Sequence, residues 1–147
     1  MRIAFDLDDT LIAAYFPAEA ASLSARLLLR ERLRLGTKAL FQALRSKGHE
    51  IWIYTTSCRK KSYIKWLFRL HGLRLDGVVN QDIHNRIVKV SVSKYPLAFG
   101  IDVLVDNSKG TEQEGQCHGF RTIIIDPDDA NWIETVLTEV NETAQSL

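Results

Sequence analysis

Short apolar segments recur along the chain, and longer stretches with helical spacing separate most of them. The opening segment, Arg2 to Leu7, is predicted to be a strand that is apolar apart from its first residue and its acidic end. Later segments are also rich in β-branched or aromatic residues, namely EIWIYTTS, DGVVN, IDVLVDNS and RTIIIDP. Apolar strands that alternate with helices are typical of a parallel sheet buried on both sides. The pattern therefore predicts an α/β fold, a three-layer parallel sheet with helices on both faces.

The helices are predicted from spacing and from residues that begin or end helices. After DDTL, a short aromatic stretch and Pro17 precede a helix that we expect to end at Gly36. Thr37 is expected to cap the next helix, which stops at Gly48. RKKSYIKWLFRLHG is amphipathic, and DDANWIETVLTEVNETAQ predicts a closing helix. Residues 81–95 fit poorly, and we predict a loop with a small strand pair there.

Composition narrows the class of protein. With 147 residues, 46% hydrophobic and 25% charged, the sequence is typical of one globular domain over residues 1–147. No apolar run approaches membrane-spanning length and no signal-peptide pattern opens the chain, so no membrane contact is expected. Cys58 and Cys117 lack metal-ligand spacing, which favours reduced thiols and a cytoplasmic location.

The net charge of +1 conceals an uneven distribution. Thirteen of the 19 Lys and Arg residues lie between Arg26 and Arg74, whereas residues 75–147 hold 12 acids and five bases. The basic region could attract a polyanion such as nucleic acid, or it could form two solvated helix faces. The sequence favours the solvated faces.

Carboxylates and a hydroxyl follow three of the predicted strands. FDLDDTL places Asp6 and Asp8 at the end of the first strand. Thr55 follows the second strand and Asp106 ends the fourth. Ligands of open parallel sheets bind beyond the carboxyl ends of the strands, so these groups converge if the three strands are central neighbours. Since Mg²⁺ often binds one or two carboxylates together with a substrate phosphate, the pattern favours magnesium-assisted phosphoryl transfer.

FDLDDTL also resembles the first motif of the haloacid dehalogenase (HAD) superfamily in its phosphatase form, DxDx[TV]. Further motifs of the superfamily follow in order. Thr55, after IWIY, resembles the threonine or serine of the second motif, and Lys94, in SKYP, resembles the lysine of the third motif. Asp106 in VLVDNS resembles the fourth, and this DNS is similar to that of the small C-terminal-domain protein phosphatases. The resemblance implies a Rossmann-like, HAD-type fold with a minimal cap.

The resemblance also implies catalytic roles. Asp6 would attack phosphorus to form an aspartyl-phosphate. Asp8 would protonate the leaving group and then activate water. Thr55 and Lys94 would bind the phosphoryl group, and Lys94 would also offset charge on the nucleophile.

The implied magnesium site departs from the family pattern in one respect. Mg²⁺ would rest on the Asp6 carboxylate, the main-chain carbonyl of Asp8 and the Asp106 carboxylate. Much of the family has a second acid in the fourth motif, whereas this chain has Asn107 next to Asp106 and Gly110 at the later position. Asn107 is therefore expected in or beside the metal shell, and the missing carboxylate should weaken magnesium binding.

Two assignments have an alternative nearby. Thr56 competes with Thr55 for the second motif. Lys89 competes with Lys94 for the third, because only twelve residues separate Lys94 from Asp106 and leave little room for a helix.

The substrate is expected to be phosphorylated, but the sequence leaves its class open. The insertion at residues 13–36 is expected to form only one aromatic flap and one helix, and a second insertion at residues 81–95 is too short for a domain. The open pocket suits a protein or a nucleic-acid end, and a small molecule is the alternative. Arg59 is a candidate for binding the leaving group, and Tyr15 and Phe16 could stack on the substrate. We expect a monomer, or a homodimer formed through residues 23–35.

Two other functions fit the same motifs. A non-catalytic phosphate- or partner-binding domain could have lost metal affinity through Asn107. A phosphotransferase would pass the phosphoryl group to an alcohol instead of water. Since a binding domain needs neither a nucleophile nor an acid, the retention of Asp6 and Asp8 favours the hydrolase.

Overall fold

Five parallel strands form the centre of the computed structural model, which describes residues 1–21, 23–28 and 30–146. The strands are β1 (Arg2–Phe5), β2 (Glu50–Tyr54), β3 (Gly77–Val79), β4 (Val103–Asp106) and β5 (Arg121–Ile124). Their order is β3-β2-β1-β4-β5, and each neighbouring pair is parallel. The prediction of an α/β fold is confirmed, and the first, second and fourth strands are central neighbours.

Helices cover both faces of this sheet. They are α1 (Leu23–Leu28), α2 (Thr37–Ser46), α3 (Lys61–Leu70), α4 (Gln81–Ile87), a 3-10 helix (Pro96–Phe99), α5 (Lys109–His118) and α6 (Trp132–Gln145). Because side chains alternate along a strand, Ile3 and Phe5 pack with buried residues of α2, α3 and α6. Ala4 packs on the opposite face with Tyr54 and Leu104. None of the helices in the described ranges is long and apolar enough to cross a membrane.

The segment between β1 and α2 differs from the predicted long helix. Helix α1 covers only Leu23–Leu28, and Gly36 precedes α2 with a positive φ of 92°. Gly36 thus occupies the cap position expected of Thr37. Leu23 and Leu27 are 78% and 84% exposed. The leucine spacing therefore overestimated the helix, since most helical stability in proteins comes from packing an apolar face.

Residues 81–95 also differ from the prediction. Gln81–Ile87 form α4, and Asn80 begins it by accepting a hydrogen bond from the Ile83 N–H at 3.0 Å. Residues 88–95, all of which are described, form no strand. The predicted strand pair is therefore wrong, and the overlooked signal was an asparagine at a helix N-cap.

Candidate active site

A buried lysine joins two carboxylates at the carboxyl edge of the central strands. Lys94 Nζ lies 2.6 Å from Asp6 Oδ1 and 2.6 Å from Asp106 Oδ2. The three side chains are nearly inaccessible to solvent, with 4%, 9% and 2% of their surface exposed. Asp6 directly follows β1, where its N–H donates to Val105 O at 2.8 Å, and Asp106 ends β4. The fold thus brings together residues that are far apart in the sequence.

This cluster carries a net charge of −1 when both carboxylates are ionised and the lysine is protonated. Burial raises the pKa of the Asp6 carboxyl above its usual value, the Lys94 ammonium opposes that rise, and the Asp106 carboxylate adds to it. Asp106 is held further because its Oδ1 accepts from the Ser108 N–H at 2.8 Å. A site with this charge would repel a phosphate dianion unless a further cation were present.

Oxygen atoms suited to Mg²⁺ lie beside the cluster. The Thr10 hydroxyl is 3.4 Å from Asp6 Oδ2 and 3.3 Å from Asn107 Oδ1, so both oxygens adjoin one hydroxyl. No group of three or more Asp, Glu, His or Cys side chains that could hold a metal occurs within the described ranges. A metal here would therefore need the Asn107 side-chain oxygen as well as the Asp6 and Asp106 carboxylates. These are the hard oxygen donors that Mg²⁺ prefers, and the donor set fits that ion.

The structure distinguishes between the alternative threonines and lysines. Thr55 directly follows β2 and is 1% exposed, and its Oγ1 accepts from the Ser57 N–H at 3.1 Å. Thr56 is exposed. Lys94 is buried beside the carboxylates, whereas Lys89 is exposed. Thr55 and Lys94 are therefore the buried members of the two pairs.

Asp8 lies in a different environment from Asp6. Its side chain is 48% exposed, and Arg59 donates to both oxygens, from Nη1 to Oδ2 at 2.9 Å and from Nη2 to Oδ1 at 2.8 Å. Arg59 also donates to Glu31 from Nε, at 3.1 Å, and from Nη2. The Tyr63 hydroxyl donates to Glu31 at 2.9 Å. The hydrogen bonds to Asp8, and after them those to Glu31, raise the pKa of the Arg59 guanidinium, so this group stays charged.

Glu31 was not found from the sequence. It lies among arginines, where a lone glutamate resembles a solvated position, and its partner Arg59 is 28 residues away. No local pattern marks such a contact. The side chain of Arg59, which was predicted to meet the leaving group, here links Asp8 to the insertion at residues 13–36.

A buried tyrosine–histidine pair behind Lys94 was also missed. The Tyr54 hydroxyl is hydrogen-bonded to His84 Nδ1 and accepts from the Tyr95 N–H at 2.9 Å. Burial raises the pKa of Tyr54 to about 12 and lowers the pKa of His84. The bond to Tyr95 fixes the backbone immediately after Lys94, so the pair helps to position that lysine.

Comparison with known proteins assigns no family. No protein-family model matches the sequence, and no curated protein matches it. What the site can do has therefore to be inferred from its own residues. It combines two buried carboxylates that share a lysine, a half-exposed carboxylate and a buried hydroxyl. Such a set can supply a nucleophile, a proton donor and donors to an oxyanion.

Proposed function

We propose that this protein is a HAD-type, magnesium-dependent phosphomonoester hydrolase that acts through an aspartyl-phosphate on Asp6. The main support is the buried cluster of Asp6, Lys94 and Asp106 at the carboxyl ends of β1 and β4. The buried hydroxyl of Thr55, which follows the neighbouring strand β2, supports the same function. The parallel sheet agrees with the fold that the motif resemblance implies.

In the first step, Asp6 acts as the nucleophile. One of its oxygens forms a bond to phosphorus while the ester P–O bond breaks, and Asp8 gives a proton to the leaving oxygen. Lys94 and Thr55 bind phosphoryl oxygens. In the second step, Asp8 accepts a proton from water, whose oxygen attacks phosphorus and releases phosphate from Asp6. The cycle consumes one water and returns Asp8 to its starting protonation state.

The charge of the site explains why a divalent cation belongs to the proposal. Asp6, Asp106, Asn107 and the Asp8 main-chain carbonyl would hold Mg²⁺. When bound, the ion would supply charge stabilisation for the phosphoryl oxygens. It would also change the net charge of the cluster from −1 to +1, the sign that attracts a phosphate dianion.

The test is hydrolysis of p-nitrophenyl phosphate by the purified protein, with magnesium chloride or with EDTA. We expect turnover that needs magnesium and disappears in Asp6→Asn and Asp8→Asn. Asp82→Asn is a matched control, because Asp82 is exposed on α4, and it should keep the wild-type rate. A folded wild-type protein that is inactive with magnesium, manganese and cobalt would contradict the proposal.

A non-catalytic phosphate-binding domain is the second candidate, and one observation favours it. Arg59 holds both oxygens of Asp8, the group to which proton transfer is assigned. Binding of orthophosphate without turnover of any phosphomonoester would support this candidate. A phosphotransferase would be recognised in the same assay by the formation of glycerol phosphate when glycerol is added.

A further inference from the structure

A cleft of about 740 Å³ opens beside Asp8. Tyr15 and Phe16 line it, and so do Arg30 and Arg32 from the other end of the insertion. Clefts of this size hold small molecules and metabolites. Residues of the insertion at residues 13–36 therefore line a pocket next to the proposed proton donor.

The walls of the cleft are held together at their base. In the insertion at residues 13–36, the Glu19 N–H donates to Leu33 O at 2.8 Å. The Leu35 N–H donates to Pro17 O at 2.6 Å. These backbone bonds join the start of the insertion to its end, so the two sides of the cleft form one looped structure. A cleft fixed in this way is partly formed before a ligand arrives, which lowers the ordering cost of binding.

The charged residues that line the cleft are equal in number of each sign, but two of its arginines are exposed and can contact an anionic group. Its acids are Asp8, Asp9 and Glu31, and its bases are Arg30, Arg32 and Arg59. Arg59 lies between two of those acids, Asp8 and Glu31. The positive charge offered to a ligand at the rim therefore comes from Arg30 and Arg32, which are both exposed.

Tyr15 offers the cleft a flat apolar surface. Its side chain is 61% exposed, and its hydroxyl donates to Asp9 Oδ1 at 3.0 Å. Its ring meets the Phe16 ring edge-on, with centroids 4.8 Å apart. Both contacts restrict the Tyr15 ring, and a restricted aromatic ring favours stacking with a planar group.

We propose that the substrate is a small phosphomonoester whose leaving group contains a planar ring and a second anionic group. The ring would stack on Tyr15 and the second anion would pair with Arg30 and Arg32. The ester oxygen would then lie near Asp8, which borders the same cleft. This inference rests on the proposed function for the identity of the phosphoryl site, but its binding determinants lie outside the buried cluster.

The experiment measures binding of non-hydrolysable phosphonates by isothermal titration calorimetry with magnesium present. The probes are methylphosphonate, benzylphosphonate and 4-carboxybenzylphosphonate, which add first a ring and then a second anion. We expect the carboxylated probe to bind the wild type about fivefold more tightly than benzylphosphonate, as for a well-formed exposed charge pair. In R30Q/R32Q the ratio of the two affinities, carboxylated probe to benzylphosphonate, should approach one. Arg69→Gln, at an exposed position on α3, is the matched control and should keep the wild-type ratio.

The ring is tested separately with Tyr15→Ala. Benzylphosphonate should bind this variant about fivefold more weakly, near the middle of the range for an aromatic pair. Methylphosphonate should be unaffected. An equal effect on both probes would overturn the stacking role, and a ratio that R30Q/R32Q leaves unchanged would overturn the anion site. A phosphopeptide or a phosphorylated oligonucleotide that binds more tightly than the carboxylated probe would overturn the small-molecule class.

This inference and the proposed function fail in different ways. Selective phosphonate binding that depends on Arg30 and Arg32, without any phosphatase turnover, would leave the cleft assignment standing and reject the hydrolase. Turnover of p-nitrophenyl phosphate with no preference for the second anion would support the hydrolase and reject the cleft assignment.

Discussion

Replacing Lys94 by methionine tests the charge balance of the buried cluster. Methionine keeps an unbranched side chain but removes the ammonium that lies 2.6 Å from both Asp6 Oδ1 and Asp106 Oδ2. These oxygens are at most about 5 Å apart, and at an effective dielectric of about 20 two unit charges at that distance repel by about 3 kcal/mol. Removing one partner of a buried ion pair typically costs about 3–5 kcal/mol. We expect the free energy of unfolding at a pH of about 8 to fall by about that amount.

The loss of stability should depend on pH in a defined direction. Burial already raises the pKa of Asp6, and without Lys94 the folded variant should hold that proton to a still higher pH. Between the unfolded and folded pKa values, the folded state binds more protons. Stability therefore falls as pH rises, by up to about 1.4 kcal/mol per pH unit for each such group. Lys94→Met should recover stability relative to wild type as the pH is lowered from about 8 toward about 5.

Urea unfolding followed by circular dichroism, in EDTA and at several pH values, measures both effects. Lys89→Met makes the same chemical change at an exposed lysine and should stay within about 0.5 kcal/mol of wild type. Adding Asp6→Asn to Lys94→Met removes the repulsion between the two carboxylates and should restore part of the loss, while Asp106 stays buried without its lysine. The reasoning is refuted if Lys94→Met is as stable as Lys89→Met near pH 8, or if its deficit grows as the pH falls.

Three other substitutions test the site and its support. Asp6→Asn should abolish hydrolysis in the activity assay. In EDTA, urea unfolding should show that the same variant has a free energy of unfolding about 1 kcal/mol higher than wild type, because the lysine–carboxylate pair that remains is neutral. Thr55→Val should lower kcat/KM for p-nitrophenyl phosphate at least about tenfold through a lost hydrogen bond, while Thr56→Val should leave it unchanged. Tyr54→Phe should cost about 1–3 kcal/mol in urea unfolding, because it leaves His84 Nδ1 buried without its partner.

The sheet and the position of the site could be predicted because both depend on local sequence. β1 and β4 are short apolar runs that lead into carboxylates, and the register places Ile3 beside Val103. Parallel strands bring their carboxyl ends to one edge, so the polar residues that follow them must lie near one another. Asp6 and Asp106 could be assigned to one site without knowledge of any side-chain contact.

Features that depend on distant contacts could not be predicted in this way. Helix α5 buries only Thr111 and Gly115, so it has no apolar spacing to reveal it. A Cβ added at Gly115 would lie 2.7 Å from Phe120 O, so glycine allows this polar helix to approach the chain next to β5. The leucines of α1 show the opposite case, since they have helical spacing but are exposed. Spacing reports a face of a helix and does not show whether another element covers it.

Asp6 and Asp8 are only two residues apart, yet the structure holds them differently, and the difference matches the proposed roles. A buried ion pair with Lys94 fixes Asp6, as a nucleophile requires. Asp8 is half-exposed, and it must give up at least one hydrogen bond from Arg59 before it can protonate a leaving group. Arg59 would keep its contacts with Glu31 during that exchange. The Arg59 guanidinium would therefore still have a carboxylate partner after it released Asp8. Glu31, which supplies that partner, belongs to the insertion at residues 13–36, so the position of the insertion supports the proposed exchange.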